Sequence, residues 1–336
     1  MKILLTGGAG YLGTVLLPKL MMRQHQVRVV DDGYFGFGHL KHMLSEVELI
    51  RADLSLLSTQ PELEAQLFDG IDVVIHLAAM SNDPSAELDP EMTRQINTDT
   101  TLYLANLAKR SRVKFIFSSS CSVYGGREQL VNELGETNPM TTYAISKLDA
   151  ENGLLALANS EWKPVILRNG TLFGYSSRMR FDLVVNTFSL FSVLKNEIKV
   201  FGNGDQWRPL LHVSDCAKAF VYFTEKKHLN HMIYNISHEN MTVRQVADVL
   251  QSINPSLKVS HIHELEADQR NYHVTNDRMR AEGFHTQLTV KQGAEEIHEA
   301  IISGAISDPE SILYQNVKWL KQLNLTAPRS HRRKAA

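Results

Sequence analysis

Six short apolar runs punctuate the first half of the chain: "KILLTG" (2–7), "QVRVVD" (26–31), "VELIRAD" (47–53), "DVVIHLAA" (72–79), "KFIFSSS" (114–120) and "PVILRNG" (164–170). They are rich in Val, Ile, Leu and Phe, and most lack a polar face, the pattern of parallel strands buried on both sides. Between them the apolar spacing turns helical, most clearly over 86–110 and 142–159. Strand and helix in alternation predict an α/β fold, a doubly wound parallel sheet with right-handed crossovers. Ligands of such sheets sit beyond the carboxyl ends of the strands. Those ends carry "TGG", "DD", "AD", "LAAM", "SSS" and "RNG".

After residue 170 the pattern is less regular. Helices are expected over 181–196, 212–226, 242–253 and 288–301, with strands at 198–202 and 232–237. Thr242 stands in N-cap position for one of these helices. The expected division is a sheet unit over 1–170, to which segments around 205–240 return, and a smaller lobe mainly from 171–336 that covers the strand ends.

Composition narrows the function classes. Of 336 residues, 43% are hydrophobic and 21% charged, ordinary for a globular chain with a large core. A formal net charge of −2 gives no electrostatic reason to expect nucleic acid or membrane as partner. The basic stretch 329–334 reads as a solvated tail. Two cysteines, Cys121 and Cys216, cannot make a disulfide framework. No apolar run has the length of a membrane span, and no secretory leader is visible, so a cytoplasmic location is expected.

Candidate chemistry begins at "LLTGGAGYLG", where a strand meets Gly7, Gly8, Gly10 and Gly13 before a helix. Glycines there allow a tight turn and a close approach of pyrophosphate to backbone, while the helix N-terminus offers free N–H groups. This is the signature of a dinucleotide-binding Rossmann unit. Asp31 ends the second strand, near the expected spacing of about twenty residues for the carboxylate that binds the adenosine ribose. No Lys or Arg occurs from Asp31 to Leu40, so NAD is favoured over NADP.

Tyr143 and Lys147 in "TTYAISK" are spaced i, i+4 and share one helix face. A phenol is a poor base at its ordinary pKa of about 10, and a neighbouring ammonium favours the phenolate. Beside a serine at the "SSS" strand end, such a pair can take a proton from an alcohol while hydride leaves its carbon.

With these residues in place the chain resembles the extended short-chain dehydrogenases/reductases, in particular the NAD-dependent nucleotide-sugar epimerases and dehydratases. The resemblance runs through "TGGAGYLG", Asp31, "ADL" (52–54), "HLAA" (76–79), "SSSCSVYG", "YAISK", "LRNGTLFG" (167–174) and "WRPLLHVSD" (207–215). It implies that Gly7, Gly10, Tyr11, Leu12 and Gly13 line the pyrophosphate and that Asp31 holds the ribose. Asp53 and Leu54 would flank the adenine, with Leu77, Ala78, Ala79 and Ser118 beside the cofactor. Ser120, Tyr143 and Lys147 take the catalytic positions. Arg208 matches the arginine that contacts the substrate's nucleotide diphosphate and Arg270 a later phosphate- or ribose-binding position, and Asn82, Thr171 and Asn186 join the substrate set.

Departures from the family pattern narrow the reaction. Cys121 and Ser122 stand where 4,6-dehydratases carry their Asp-Glu pair, and Ser122 where GDP-sugar 3,5-epimerases place a cysteine. Cys121 reads as a packed thiol. Thr171 replaces the asparagine of many UDP-sugar 4-epimerases. Arg178 and Arg180, near Asn186, either grip a diphosphate or acidic sugar or form a solvated loop. The histidines show no metal pattern, and His212 reads as a packed residue.

The function expected is C4 inversion of a nucleotide sugar through a 4-keto intermediate. A 4-dehydrogenase or 4-ketoreductase is the alternative, and a non-catalytic NAD-binding scaffold is the remaining one. A homodimer is also expected, built on helices 86–110 and 142–159, whose Leu102, Leu104, Leu107, Leu154, Leu155 and Leu157 exceed one buried stripe.

Overall fold

The structure of the chain is a computed structural model and describes residues 1–262 and 270–323; the basic stretch 329–334 lies outside the described residues. Its strands begin with β1 (Lys2–Thr6), β2 (Gln26–Asp31), β3 (Glu48–Arg51), β4 (Val73–His76) and β5 (Lys114–Ser120). They continue as β6 (Gly126–Val131), β7 (Val165–Asn169), β8 (Thr171–Phe173), β9 (Glu197–Phe201) and β10 (Trp207–His212). β11 (Ile233–Ile236), β12 (Glu239–Thr242), β13 (Lys258–Ile262) and β14 (Asn271–Val274) follow.

Seven of these strands pair in parallel in the order β11-β7-β5-β4-β1-β2-β3. The expected doubly wound parallel sheet is therefore present. Its central strands are apolar on both sides because both sides are covered. Ile3, Leu5, Val73, Ile75, Ile116 and Leu167 point into one core, whereas Leu4, Val74, Phe115, Phe117 and Ile166 point into the other. This alternation is the two-residue period of a strand.

The helices supply the covering faces. α1 (Gly13–Met22), α2 (Pro61–Phe68), α3 (Asp83–Ala86), α4 (Pro90–Arg94), α5 (Thr100–Arg110) and α6 (Thr142–Leu157) belong to the first half. α7 (Val184–Leu194), α8 (Val213–Glu225), α9 (Val243–Ile253), α10 (Asp277–Ala281), α11 (Val290–Ile302) and α12 (Asn316–Gln322) follow. α1 and α8 share the first core through Leu16, Leu20, Ala217 and Phe220. α5 and α6 share the second through Leu104, Ala108, Ala150 and Leu154. Past residue 170, the sheets β12-β10-β8 and β13-β9 and the packed face of α7, α9 and α11 build a further core around Phe173, Val185, Val246 and Ala294.

Two expectations on helices need correction. Residues 86–110 are not one helix: α3 ends at Ala86, and Pro90, which has no N–H to give, opens α4. Asp89 caps the new start by accepting the Met92 N–H, and a π turn at Gln95–Asp99 joins α4 to α5. The leucines offered for a dimer face also pack inward. Leu104, Leu107 and Leu154 are fully buried, and Leu102, Leu155 and Leu157 lean on the same core. The exposed positions of α6 are instead Ile145, Asp149, Asn152 and Ala156.

Candidate active site

The strand ends open into a cleft of about 1150 Å³ that runs from the glycine turn after β1 to the small lobe. That exceeds the upper end of the ~300–1,000 Å³ usual for one small-molecule pocket, so there is room for more than one ligand. At its first end Gly7 has φ +71°, and a Cβ on it would lie 2.6 Å from the Ala78 nitrogen; only glycine permits this approach of turn to β4. Gly10, Tyr11, Leu12 and Gly13 line the cleft where α1 begins. Asp31 closes this end, its carboxylate accepting the Ala9 and Gly33 N–H groups at 3.0 and 2.8 Å. Burial raises its pKa, against those two bonds and the charge of Arg178.

Asp53 caps the turn after β3 and accepts the Ser55 N–H, and with Leu54 it lines the same end of the cleft. Leu77, Ala78, Ala79 and Ser118 form the wall beyond β4 and β5. The residues present fit a dinucleotide: a backbone cradle at a helix N-terminus for phosphates, and the half-buried Asp31 carboxylate lining the cleft where a ribose would lie.

Ser120, Tyr143 and Lys147 meet further along. β5 delivers Ser120, while α6, capped by the Thr141 hydroxyl on the Ala144 N–H, presents Tyr143 and Lys147 one turn apart. Ser120 hydrogen-bonds the Tyr143 phenol. Lys147 Nζ donates to the Ser118 carbonyl at 2.9 Å and lies 5.9 Å from the Tyr143 ring. Burial moves the Lys147 ammonium down to about 7, opposed by the charge of Glu151.

The phenol differs from expectation. Burial pushes its pKa up, Asp83 adds to this, and the Ser120 hydrogen bond and Arg180 oppose it. Arg180 thus joins Lys147, 5.9 Å from the ring, as a cation beside Tyr143.

The substrate set divides. Arg208, Arg270, Thr171 and Asn82 line the cleft at the lobe end. Arg208 donates to the Trp207 carbonyl and lies 5.8 Å from the Tyr272 ring, and Arg270 pairs with Asp83. Asn82, at φ 86°, caps α3 and donates to Asp182. Arg180 is held in a bidentate pair by Asp182, at 3.0 and 2.9 Å. Both loop arginines are buried, which removes the reading of a solvated loop.

Asn186 is a correction. It is fully buried, its amide joins the Gly174 N–H, the Arg180 carbonyl and the Tyr11 hydroxyl, and it does not line the cleft. Its role is to hold the arginine loop on α1.

Cys121 is buried, its thiol donating to the Arg168 carbonyl. His212 caps α8 and pairs with Glu296. Among the described residues no group of three or more His, Cys, Asp or Glu gathers as metal ligands, and none of their helices is long and apolar enough to cross a membrane.

Sequence reasoning missed Asp83, Asp182, Asn169 and Asn316, which also line the cleft. It missed Glu151 too, although its i+4 spacing from Lys147 was visible. The others come together only through tertiary contacts between loops.

Comparison with known proteins agrees with this geometry. The sequence profile of the NAD dependent epimerase/dehydratase family matches residues 3–237. An uncharacterised UDP-glucose epimerase of Bacillus subtilis is 30% identical over 79% of this chain and 85% of its own. UDP-glucuronic acid decarboxylase 1 of Danio rerio is 30% identical over 80% of this chain, which spans 64% of that enzyme's length. Among solved structures, UDP-glucuronic acid 4-epimerase of Bacillus cereus, in complex with UDP-glucuronic acid and NAD, superposes with a TM-score of 0.78 at 25% identity, covering 90% of this chain and 99% of that one. The fold of UDP-glucose 4-epimerase from Thermotoga maritima matches with a TM-score of 0.80 at 24% identity, over 91% and 100%.

Proposed function

The chain belongs to the NAD-dependent epimerase/dehydratase family, and on that premise we propose that it is a nucleotide-sugar 4-epimerase, inverting C4 through a transient 4-keto sugar. The observation that carries this reading is the convergence of Ser120, Tyr143 and Lys147 on one wall of a cleft that begins at the glycine turn. Bound NAD supplies a hydride acceptor able to give the hydride back. Tyr143, as the phenolate that Arg180 and the positive charge of bound NAD would favour, would take the proton of the sugar 4-hydroxyl, and Ser120 would orient that oxygen through its hydroxyl. Lys147, fixed by the Ser118 carbonyl, would hold the nicotinamide ribose of bound NAD. Arg208 and Arg270 meet the nucleotide diphosphate at the lobe end.

The sugar in this reading is a neutral hexose. Near Tyr143, the edge of Arg180 that a sugar carboxylate would take is already filled by Asp182. The enzyme is read as a cytoplasmic homodimer. Two buried, unpaired cysteines suit a reducing compartment. Ile145 and Ala156 are apolar positions left exposed on α6, where a second copy would pack. A light-scattering mass of one chain at micromolar concentration would overturn the dimer.

The function is tested by incubating the protein separately with UDP-, GDP-, dTDP- and CDP-hexoses and with UDP-glucuronate, following NADH absorbance and the NMR spectrum of the sugar. Equilibration of two C4 epimers without net NADH is expected. Stoichiometric NADH would point to a 4-dehydrogenase, and turnover of UDP-glucuronate alone would reject the neutral sugar.

A further inference from the structure

Arg178 is 3% exposed, yet its guanidinium has only neutral hydrogen-bond partners among the described residues: the Met179 carbonyl at 3.2 Å and the Asn316 side-chain oxygen at 2.6 Å. Its buried Nε–H has no partner. Burial and the like charge of Arg180 lower its pKa to about 9, against Asp182 and Asp31, and the Phe35 ring lies 3.6 Å from the guanidinium carbon. A buried cation without a paired anion is costly and is not retained for stability. Its location identifies the missing anion. The loop carrying Arg178 is seated on the first turn of α1: Tyr11 donates to the Gly174 carbonyl, and Ser176 bonds both the Tyr11 carbonyl and Thr14. Arg178 thus lines the cleft beside the phosphate-binding end of that helix.

We propose that Arg178 is a ligand of the cofactor's pyrophosphate, held in readiness by α12 through Asn316, so that the C-terminal helix is part of the cofactor site. α12 is anchored for this purpose. Trp319 Nε1 donates to the Tyr34 carbonyl after β2, and Asn316 reaches Ser81 after β4 at 3.5 Å. Bound phosphate oxygens supply the charge and the acceptors that Arg178 lacks, in the bidentate geometry a guanidinium favours.

The test uses the full chain freed of nucleotide, with NAD, ADP-ribose and adenosine as probes in titration calorimetry and thermal melts. Arg178→Met is expected to bind NAD and ADP-ribose at least about tenfold more weakly, the loss of one charge-assisted contact. Its affinity for adenosine should be unchanged, and its melting temperature without ligand should be no lower than the parent's. Asn316→Asp keeps the shape of the site but gives Arg178 an internal anion. It is expected to raise the ligand-free melting temperature and to weaken NAD and ADP-ribose in the same way. NAD affinities within twofold of the parent for both variants would overturn the proposal. So would a loss confined to UDP-glucose, titrated as a fourth probe, which would assign Arg178 to the substrate.

Discussion

Arg168 and Arg178 are both buried arginines within reach of the same strand ends, and they could hardly be treated more differently by the fold. Arg168, on β7, meets the Glu151 carboxylate through Nε and Nη2, the closest contact at 2.6 Å, and donates Nη1 to the Tyr124 hydroxyl. Ser119 bonds the same carboxylate, and Tyr124 continues to Asn235. Burial works against the Arg168 charge, yet Glu151 outweighs it and raises the pKa. For Arg178 burial is unopposed by any paired carboxylate, and the pKa falls. The region behind β5 and α6 is internally complete, whereas the cleft keeps polar capacity for something outside the chain. Loss of a group should therefore cost stability on one side and binding or turnover on the other.

The severest test of that division is Tyr143→Phe. Only the proton acceptor is lost, so turnover should fall roughly 10²–10⁴-fold, about 3–5 kcal/mol of activation free energy, with folding and NAD affinity nearly unchanged. Near-normal epimerisation by the variant would remove Tyr143 from the chemistry and erase the distinction.

Arg168→Met should act the other way. It strands a buried Glu151, with side-chain exposures of 5% and 0% for the two partners, and should cost about 3–5 kcal/mol in chemical denaturation. The double variant Arg168→Met, Glu151→Leu should recover much of this. A single variant as stable as the parent would show that the network is not complete in itself.

Lys147 stands at the border of the two regions, bonded to Ser118 at the cleft and acted on by Glu151 behind. Its folded pKa of about 7 lies below the ordinary 10.5, so between these values the unfolded chain binds the extra proton. Stability of the NAD-free protein should therefore rise with pH through that window, by at least on the order of 1 kcal/mol. Lys147→Met should flatten the rise. An unchanged pH profile would show that the ammonium is not penalised by its burial.

How much was legible follows the same line. The strands could be read because both faces of the sheet are covered, which leaves unbroken apolar runs such as 73–75 and 115–117. The glycine turn, Asp31 and the Tyr143–Lys147 spacing are local, so one segment states the chemistry. The unread parts depend on distant segments meeting. Asp182 takes Arg180, Asn316 arrives from the C-terminus to hold Arg178, and Asn186 turns away to fix Tyr11. The break at Leu88–Asp89 was visible in Pro90, and helix α7 starts only at Val184, after Leu183 in extended conformation, with the Phe181 N–H taken by the Tyr314 carbonyl.

Asp31 lies between the two arginines in kind and should show the smallest effect. It faces the cleft, but two backbone N–H groups already use part of its capacity. Asp31→Ala relieves a half-buried carboxylate while losing those bonds, so stability should change little. NAD should bind roughly tenfold more weakly for want of the ribose acceptor, the low end of what a charged hydrogen bond is worth. Arg51 stands across from residue 31 in the β2–β3 register, with Nε on the Asp32 carbonyl. With the carboxylate gone, that guanidinium becomes the dominant charge beside the ribose, and affinity for NADP should rise relative to NAD. Titration of parent and variant with both dinucleotides measures this. A parent that binds NADP as tightly as NAD would remove Asp31 from the ribose and leave the cleft's first end without its selecting group.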